Sequence, residues 1–278
     1  MEFQNQYQQP QMPKYECLLF DLDDTLYPLS SGLSKQCTKN IEEYMVQRLG
    51  IEETRVKDVN QLLYKNYGTS MAGLKAIGYD FDNDDYHSFV HGRLPYKVLR
   101  PDHVLRSLLV SLPHRKLIFS NGDKVHVAKT LGILGLKDCF EGVICFETLN
   151  PTNNNEASQF RSGCREYFDH SSLFDAGSEL PVTPIICKPF ANAYEEAFQQ
   201  ANVNPQRTLF FDDSIRNIQA GKEMGLHTVL VGSSQVTKGA DYAIESIHNI
   251  REAIPGLFGV EEMKMNIQKF SDIIAVEA

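Results

Sequence analysis

Carboxylates gather in this chain where apolar runs end. Asp21-Leu22-Asp23-Asp24-Thr25-Leu26 closes a run that begins at Cys17, and Phe211-Asp212-Asp213-Ser214 closes another that begins at Thr208. Carboxylates crowded at the end of a buried strand repel one another and raise one another's pKa unless donors or a cation compensate. A hard divalent cation would suffice. Magnesium takes octahedral oxygen ligands and keeps places for water and phosphate oxygens, so two or three carboxylates with a backbone carbonyl make a suitable protein share. The plainer alternative is an acidic turn with Asp24 or Thr25 capping the next segment, and the second acidic pair weakens it. Two further stations lie between the acidic ones. Ser120-Asn121-Gly122 ends the run from Lys116 and offers a hydroxyl and backbone donors ahead of a helix, a cradle for phosphate oxygens. Cys187-Lys188-Pro189 follows the apolar Val182–Ile186 run. Proline in a first helical turn would leave Lys188 at the sheet edge, a point charge facing an anion.

These stations need a frame that brings strand ends together. Short apolar runs at Cys17–Leu22, Lys116–Ser120, Gly142–Phe146, Thr208–Phe211 and Thr228–Val231 read as buried parallel strands. Helical patterns fall between them at Lys124–Leu134, Phe190–Ala201 and Ile215–Met224, the alternation of a Rossmann-like, doubly wound α/β fold. Two segments interrupt it. Residues 32–105 carry several helical patterns and no convincing central strand, so they are expected to form an inserted helical cap domain. An insertion at that point lies over the carboxyl ends of the strands, where open α/β sheets bind ligands, and could act as a lid. Residues 148–183, rich in Asn, Ser, Gly and Pro, are long for a loop and read as a surface excursion. The expected domains are therefore a core at 14–31 and 106–278, the cap at 32–105, and a disordered tail at 1–13.

Composition narrows the function classes. The 278 residues are 42% hydrophobic and 23% charged, as in soluble globular chains. No apolar run approaches the roughly 18 residues of a spanning helix. The first dozen residues lack the basic start and apolar stretch of a signal peptide. A net charge of −9 argues against nucleic acid or an anionic membrane as partner. Six dispersed cysteines with no zinc-ligand spacing read as reduced thiols in a cytoplasmic protein.

Taken in order, the four stations resemble the four motifs of the haloacid dehalogenase superfamily, over nearly the whole chain. The resemblance implies that Asp21 is a nucleophile attacking phosphorus and Asp23 the general acid and base. Ser120 matches the second motif, Lys188 the third, and Asp212 with Asp213 the fourth. It further implies Mg2+ held by Asp21, the carbonyl of Asp23 and Asp212, with Asp213 bonding Lys188 or a metal-bound water and Asn217 orienting the acidic loop. Asn121 would join Ser120 in binding substrate. Asp23 favours a phosphatase or phosphomutase over a dehalogenase, which lacks an aspartate there.

By position the insertion resembles the helical cap of the superfamily's first subfamily. The stretches Tyr64–Thr69, Met71–Leu74 and Asp85–Tyr96 look like those of the pyrimidine 5′-nucleotidase branch, especially its plant members. On that resemblance Tyr67, Thr69, Ser70, His91 and Arg93 are candidate contacts to a base, and the substrate is a pyrimidine nucleotide or a purine one such as xanthosine monophosphate. Tyr64 and Tyr67, three apart on one helix face, serve equally well as core. His87 and His91 have the i,i+4 spacing of a helical metal pair, but no Glu follows His87 and no third ligand is evident, so structural histidines or one substrate contact are expected. Other readings stay open at this point: a phosphatase of a sugar phosphate or pyridoxal phosphate, a phosphomutase, or a noncatalytic binding protein. The apolar stretches of the cap and of the carboxyl-terminal helices could serve a homodimer, and core packing explains them as well.

Overall fold

Strands buried on both faces must be apolar throughout, and Cys17–Phe20 (β1), Arg115–Phe119 (β2) and Thr208–Asp212 (β4) approach that limit. In the computed structural model, which describes residues 14–151 and 180–258, these three form the centre of a six-stranded sheet. Its outer strands are Gly142–Ile144 (β3), His227–Val231 (β5) and Tyr242–Ile244 (β6). All five pairings are parallel, in the order β3-β2-β1-β4-β5-β6. Side chains alternate across the sheet: Leu18, Phe20, Ile118, Leu209 and Phe211 pack into one core layer, and Cys17, Leu19, Leu117, Phe119 and Phe210 into the other. Phe20 and Phe211 stack with centroids 4.5 Å apart.

Helices follow the strands as the doubly wound alternation predicts. They are Leu33–Gln47 (α1), Val56–Tyr67 (α2), Ser70–Ala76 (α3), Asn83–Val90 (α4), His103–Ser111 (α5), Lys124–Leu134 (α6), Phe146–Leu149 (α7), Ala191–Ala201 (α8), Ile215–Glu223 (α9) and Ile250–Ala253 (α10). From α1 to α4 they lie between β1 and β2 in sequence and share a third apolar cluster, centred on Tyr44, Leu63, Met71 and Tyr86. That cluster also takes in Phe146, Ile185 and Cys187 from beyond the insertion.

Two sequence expectations shift. The short strand β6 follows a turn-rich stretch and adds a sixth strand to the five expected. The apolar Val182–Ile186 run packs outside the sheet: Val182 is exposed, Ile185 packs on the inserted helices, and Thr183 donates its hydroxyl to the Ala72 carbonyl at 2.7 Å. Pro189 does not sit in a helical turn; it follows a cis peptide bond, and Phe190 is the N-cap of α8. The expected tail and most of the 148–183 excursion lie outside the described residues. No helix among the described residues is long and apolar enough to cross a membrane.

Candidate active site

Strand order makes the site. From β1 the chain winds outward through β2 and β3, then returns to place β4 on the other side of β1, so β1 and β4 flank a topological switch point where a crevice opens. Phe20 pairs with Phe211 and Ile118, and the ladder ends where the Asp21 N–H donates to the Phe211 carbonyl at 2.8 Å. Asp21 and Asp212 therefore leave the sheet side by side. The end of β2 brings Ser120 level with them, and the loop before α8 supplies Lys188.

Lys188 is the centre of this group, with only 1% of its surface exposed. Its Nζ donates to Asp21 Oδ1 at 2.8 Å, Asp212 Oδ2 at 2.7 Å and the Phe119 carbonyl at 2.6 Å. An ammonium this deep is tolerable only because it is paired; removing one partner of such a group typically costs about 3–5 kcal/mol. Burial alone would lower the Lys188 pKa, but Asp21 and Asp212 outweigh it and keep the group charged. Asn121 secures the lysine's backbone, donating from Nδ2 to the Lys188 carbonyl at 3.0 Å and accepting the Lys188 N–H on Oδ1 at 2.9 Å. Its side chain thus positions the lysine, and it also lines the cavity where a substrate contact was expected of it. The Ser120 hydroxyl oxygen accepts the Gly122 N–H at 3.0 Å, which leaves its own proton for a ligand.

Asp212 rather than Asp213 bonds Lys188. Asp212 is fully buried, bonds Lys188, accepts the Ser214 N–H at 2.8 Å, and takes Asn217 Nδ2 on both oxygens at 3.0 Å. Asp213 lines the cavity instead. Desolvation of its carboxylate and the charges of Asp212 and Asp24 push it up to about 7. Asp21 is raised too, by burial and by Asp212, Asp213 and Asp23, against the pull of Lys188. One ammonium thus faces more carboxylates than it can neutralise. Ligand oxygens of Asp21, Asp212 and Asp213 lie within 4.8 Å of one another, and an all-oxygen set with excess negative charge fits a hard divalent cation.

Asp23 has partners that spacing did not reveal. Tyr27 donates its hydroxyl to Asp23 Oδ1, and His126 Nε2 lies 2.7 Å from the same oxygen, while His126 Nδ1 meets the Tyr96 hydroxyl at 2.8 Å. Burial would raise the Asp23 carboxyl, but His126 and Tyr27 draw it down to about 2; burial would lower His126, but Asp23 and Asp123 raise it. The proton of the pair therefore rests on the imidazole. Asp24 sits in the left-handed region at φ 58° and accepts the Ser34 hydroxyl. A signal was available for two of these groups: Tyr27 and His126 each stand about one helical turn beyond a motif residue.

A cavity of about 590 Å³ opens above the strand ends, within the usual range for small-ligand sites. Of the cap candidates, Thr69, Ser70 and His91 line it, whereas Tyr67 and Arg93 do not. Tyr67 continues the buried stripe Val56, Val59, Leu63 of α2, and Arg93 points to Glu43 at 2.5 Å and covers Phe89. Tyr64, rotated off that stripe, faces the cavity and lies under the Arg216 guanidinium at 4.3 Å; Arg216 also donates to the Tyr64 and Lys65 carbonyls. Thr69 accepts the Ala72 N–H as the cap of α3, Ser70 donates to Asn60 at 2.5 Å, and His91 Nδ1 meets Asp123 Oδ1 at 2.5 Å.

A doubly wound parallel sheet whose switch point gathers carboxylates around one buried lysine defines a class of α/β proteins with a polar site at the strand ends. The family model described as haloacid dehalogenase-like hydrolase matches residues 15–225, and the chain belongs to that family. Among curated proteins it is similar to Phosphate metabolism protein 8 of Saccharomyces cerevisiae, 25% identical over 227 residues, which cover 78% of this chain and 62% of the yeast protein. The chain thus spans less than two thirds of that relative. Among solved structures it resembles CbbY from Rhodobacter sphaeroides in complex with phosphate, with 17% identity, 87% of this chain and 99% of that one covered, and a TM-score of 0.52. It also resembles a HAD phosphatase from Thermococcus onnurineus, with 15% identity, coverage of 85% and 96%, and a TM-score of 0.50. At these identities the structures share the fold.

Proposed function

We propose that the chain is a magnesium-dependent phosphomonoesterase that hydrolyses a nucleoside 5′-monophosphate through an aspartyl phosphate on Asp21. The observation that carries this reading is the constellation around Lys188: a carboxylate at a strand end, held by a buried ammonium, beside a free hydroxyl and an excess of negative charge. The residues suited to hold Mg2+ are Asp21, the backbone carbonyl of Asp23 and the acidic pair Asp212 and Asp213. When bound, the ion offsets repulsion between the nucleophilic carboxylate and the phosphate.

Asp21 attacks phosphorus with its carboxylate, splitting hydrolysis into two easier displacements. The Ser120 hydroxyl holds a phosphate oxygen, and the buried charge of Lys188, whose three donors are taken by Asp21, Asp212 and the Phe119 carbonyl, offsets the negative charge that builds there. The proton on His126 Nε2 crosses to Asp23, which passes it to the leaving oxygen; Asp23 then takes a proton from the water that attacks the aspartyl phosphate. The inserted helices act as a cap that shields this exchange from bulk water. Support for a nucleoside substrate comes from the cavity volume and from Tyr64 and Phe146 on its wall, surfaces on which a base can stack. The name of the yeast relative, which refers to phosphate metabolism, agrees with the phosphate chemistry.

A panel of phosphomonoesters assayed with Mg2+ tests the reading. Nucleoside monophosphates should turn over with the highest kcat/KM, and Tyr64→Ala should raise KM for them by roughly 2- to 10-fold, the worth of one aromatic contact, without changing KM for p-nitrophenyl phosphate. Preference for sugar phosphates or pyridoxal phosphate would overturn the nucleotide assignment. Phosphoryl transfer to a second sugar phosphate in place of phosphate release would make the protein a phosphomutase.

A further inference from the structure

A second set of ligand atoms meets where the inserted helices touch the sheet. His87 lies in the last turn of α4, and His91, its C-cap, continues that turn by donating its N–H to the His87 carbonyl at 2.8 Å. Both rings thus face the same way. Across from them stands Asp123, the N-cap of α6. Its Oδ2 is occupied by the N–H groups of Val125 and His126 at 3.0 and 3.1 Å, which leaves Oδ1 to the histidines. Nδ1 of His91 lies 2.5 Å from Oδ1 and Nδ1 of His87 lies 3.7 Å from it. One ligand atom from each of the three residues falls within a 4.8 Å sphere of mutual distances.

His87 is the anomaly. It is 7% exposed, it lines the cavity, and neither ring nitrogen has a hydrogen-bond partner. A buried polar group left unpaired is costly, so the site is built to receive something. Burial, with His91 close by, lowers its pKa to about 4, so at neutral pH the imidazole is in the uncharged form that binds metals.

We propose that His87, His91 and Asp123 form a second metal site, separate from the carboxylate cluster, that takes a borderline divalent ion of the zinc type and ties α4 of the insertion to α6 of the sheet domain. Two imidazoles and one carboxylate suit zinc or cobalt and offer little to magnesium, which prefers oxygen throughout. At zinc–ligand distances of 2.0–2.1 Å a tetrahedral site holds its ligand atoms about 3.3 Å apart. The observed 2.5 and 3.7 Å separations bracket that value, so side-chain shifts below 1 Å admit the ion. His91 binds through Nδ1 in the tautomer that carries its proton on Nε2, and the nearly parallel rings, 19° apart, require His87 to turn about its side-chain bonds. The fourth position opens to the cavity. Because the His91 ring stacks on His126 at 4.6 Å, and His126 holds Asp23, an ion here reports directly to the chemistry below.

The test is a cobalt titration of the full chain saturated with Mg2+, read by visible absorption. Four- or five-coordinate cobalt with nitrogen ligands absorbs strongly, whereas octahedral oxygen sites absorb weakly. The expected result is one equivalent of strongly absorbing cobalt, displaced by Zn2+ and not by Mg2+. His87→Gln and Asp123→Asn should each weaken that binding by roughly tenfold or more, since even an outer partner of a metal ligand is worth that much. Asp123→Asn keeps an amide oxygen to cap α6, so it tests the site even if the His87 variant folds poorly. Only weakly absorbing cobalt, displaced by Mg2+, would overturn the proposal, as would strong absorption unchanged in both variants.

Discussion

The side-chain amide of Asn121 closes on both backbone polar groups of Lys188, donating to its carbonyl at 3.0 Å and accepting its N–H at 2.9 Å. The loop after β2 and the loop before α8 are thereby locked together, 67 residues apart in sequence. The ammonium that holds Asp21 is aimed by a residue on another strand end.

Asn121→Ala should therefore act through Lys188. Loss of two bonds, with two backbone groups left short of partners, predicts a stability decrease of about 1–3 kcal/mol by thermal or urea denaturation. Misaiming the ammonium predicts a fall in kcat of roughly tenfold or more, with a smaller change in KM, because positioning acts chiefly in the transition state. Unchanged kcat in a folded variant would remove Asn121 from this role.

Gly68 makes the corresponding contact from the insertion. It follows α2 at φ 80°, and a Cβ there would fall 2.4 Å from the Lys188 carbonyl oxygen and 2.7 Å from Pro189 Cδ. Gly68→Ala adds about 1–2 kcal/mol of left-handed backbone cost to a backbone clash. The expected outcome is a lower melting temperature together with weakened turnover as the insertion is pushed off the lysine loop; wild-type values for both would contradict the close approach.

Much of this arrangement is legible in the sequence, and the part that is not has a physical reason. Asp21 and Asp212 could be found because charge at the end of an apolar run is costly and conspicuous, and Ser120 because its run closes on a hydroxyl followed by Asn121-Gly122. The phase of α2 decides between Tyr64 and Tyr67: the second extends the stripe from Val56 through Leu63, and the first lies about 100° round the helix. Which of the adjacent Asp212 and Asp213 faces the lysine depends on how β4 passes into α9, which spacing does not specify. Likewise Tyr96 meets His126 and Asp123 meets His91 only because the end of the insertion folds back on the start of α6, contacts across 30 and 32 residues that no local pattern encodes.

The Asp23–His126 pair predicts a pH dependence. The folded His126 pKa is raised above the ordinary histidine value of about 6.5. Its stabilising interaction is accordingly complete below the unfolded value and is lost as pH rises through the folded one. Both melting temperature and kcat should fall together on the alkaline side of neutrality, since deprotonated His126 no longer supplies Asp23. His126→Gln should remove that alkaline limb while lowering the plateau. A limb retained in the variant would assign it to another group.

Asp21 as the nucleophile is tested most directly by trapping. Enzyme turning over a nucleoside monophosphate with Mg2+ is quenched, reduced with borohydride and mapped by peptide mass spectrometry. An acyl phosphate on Asp21 is converted to homoserine at that position, and this product should appear only when substrate is present and should vanish in Asp21→Asn. Active enzyme that yields no reduced residue, or one at Asp23 or Asp213, would contradict Asp21 as the group that attacks phosphorus.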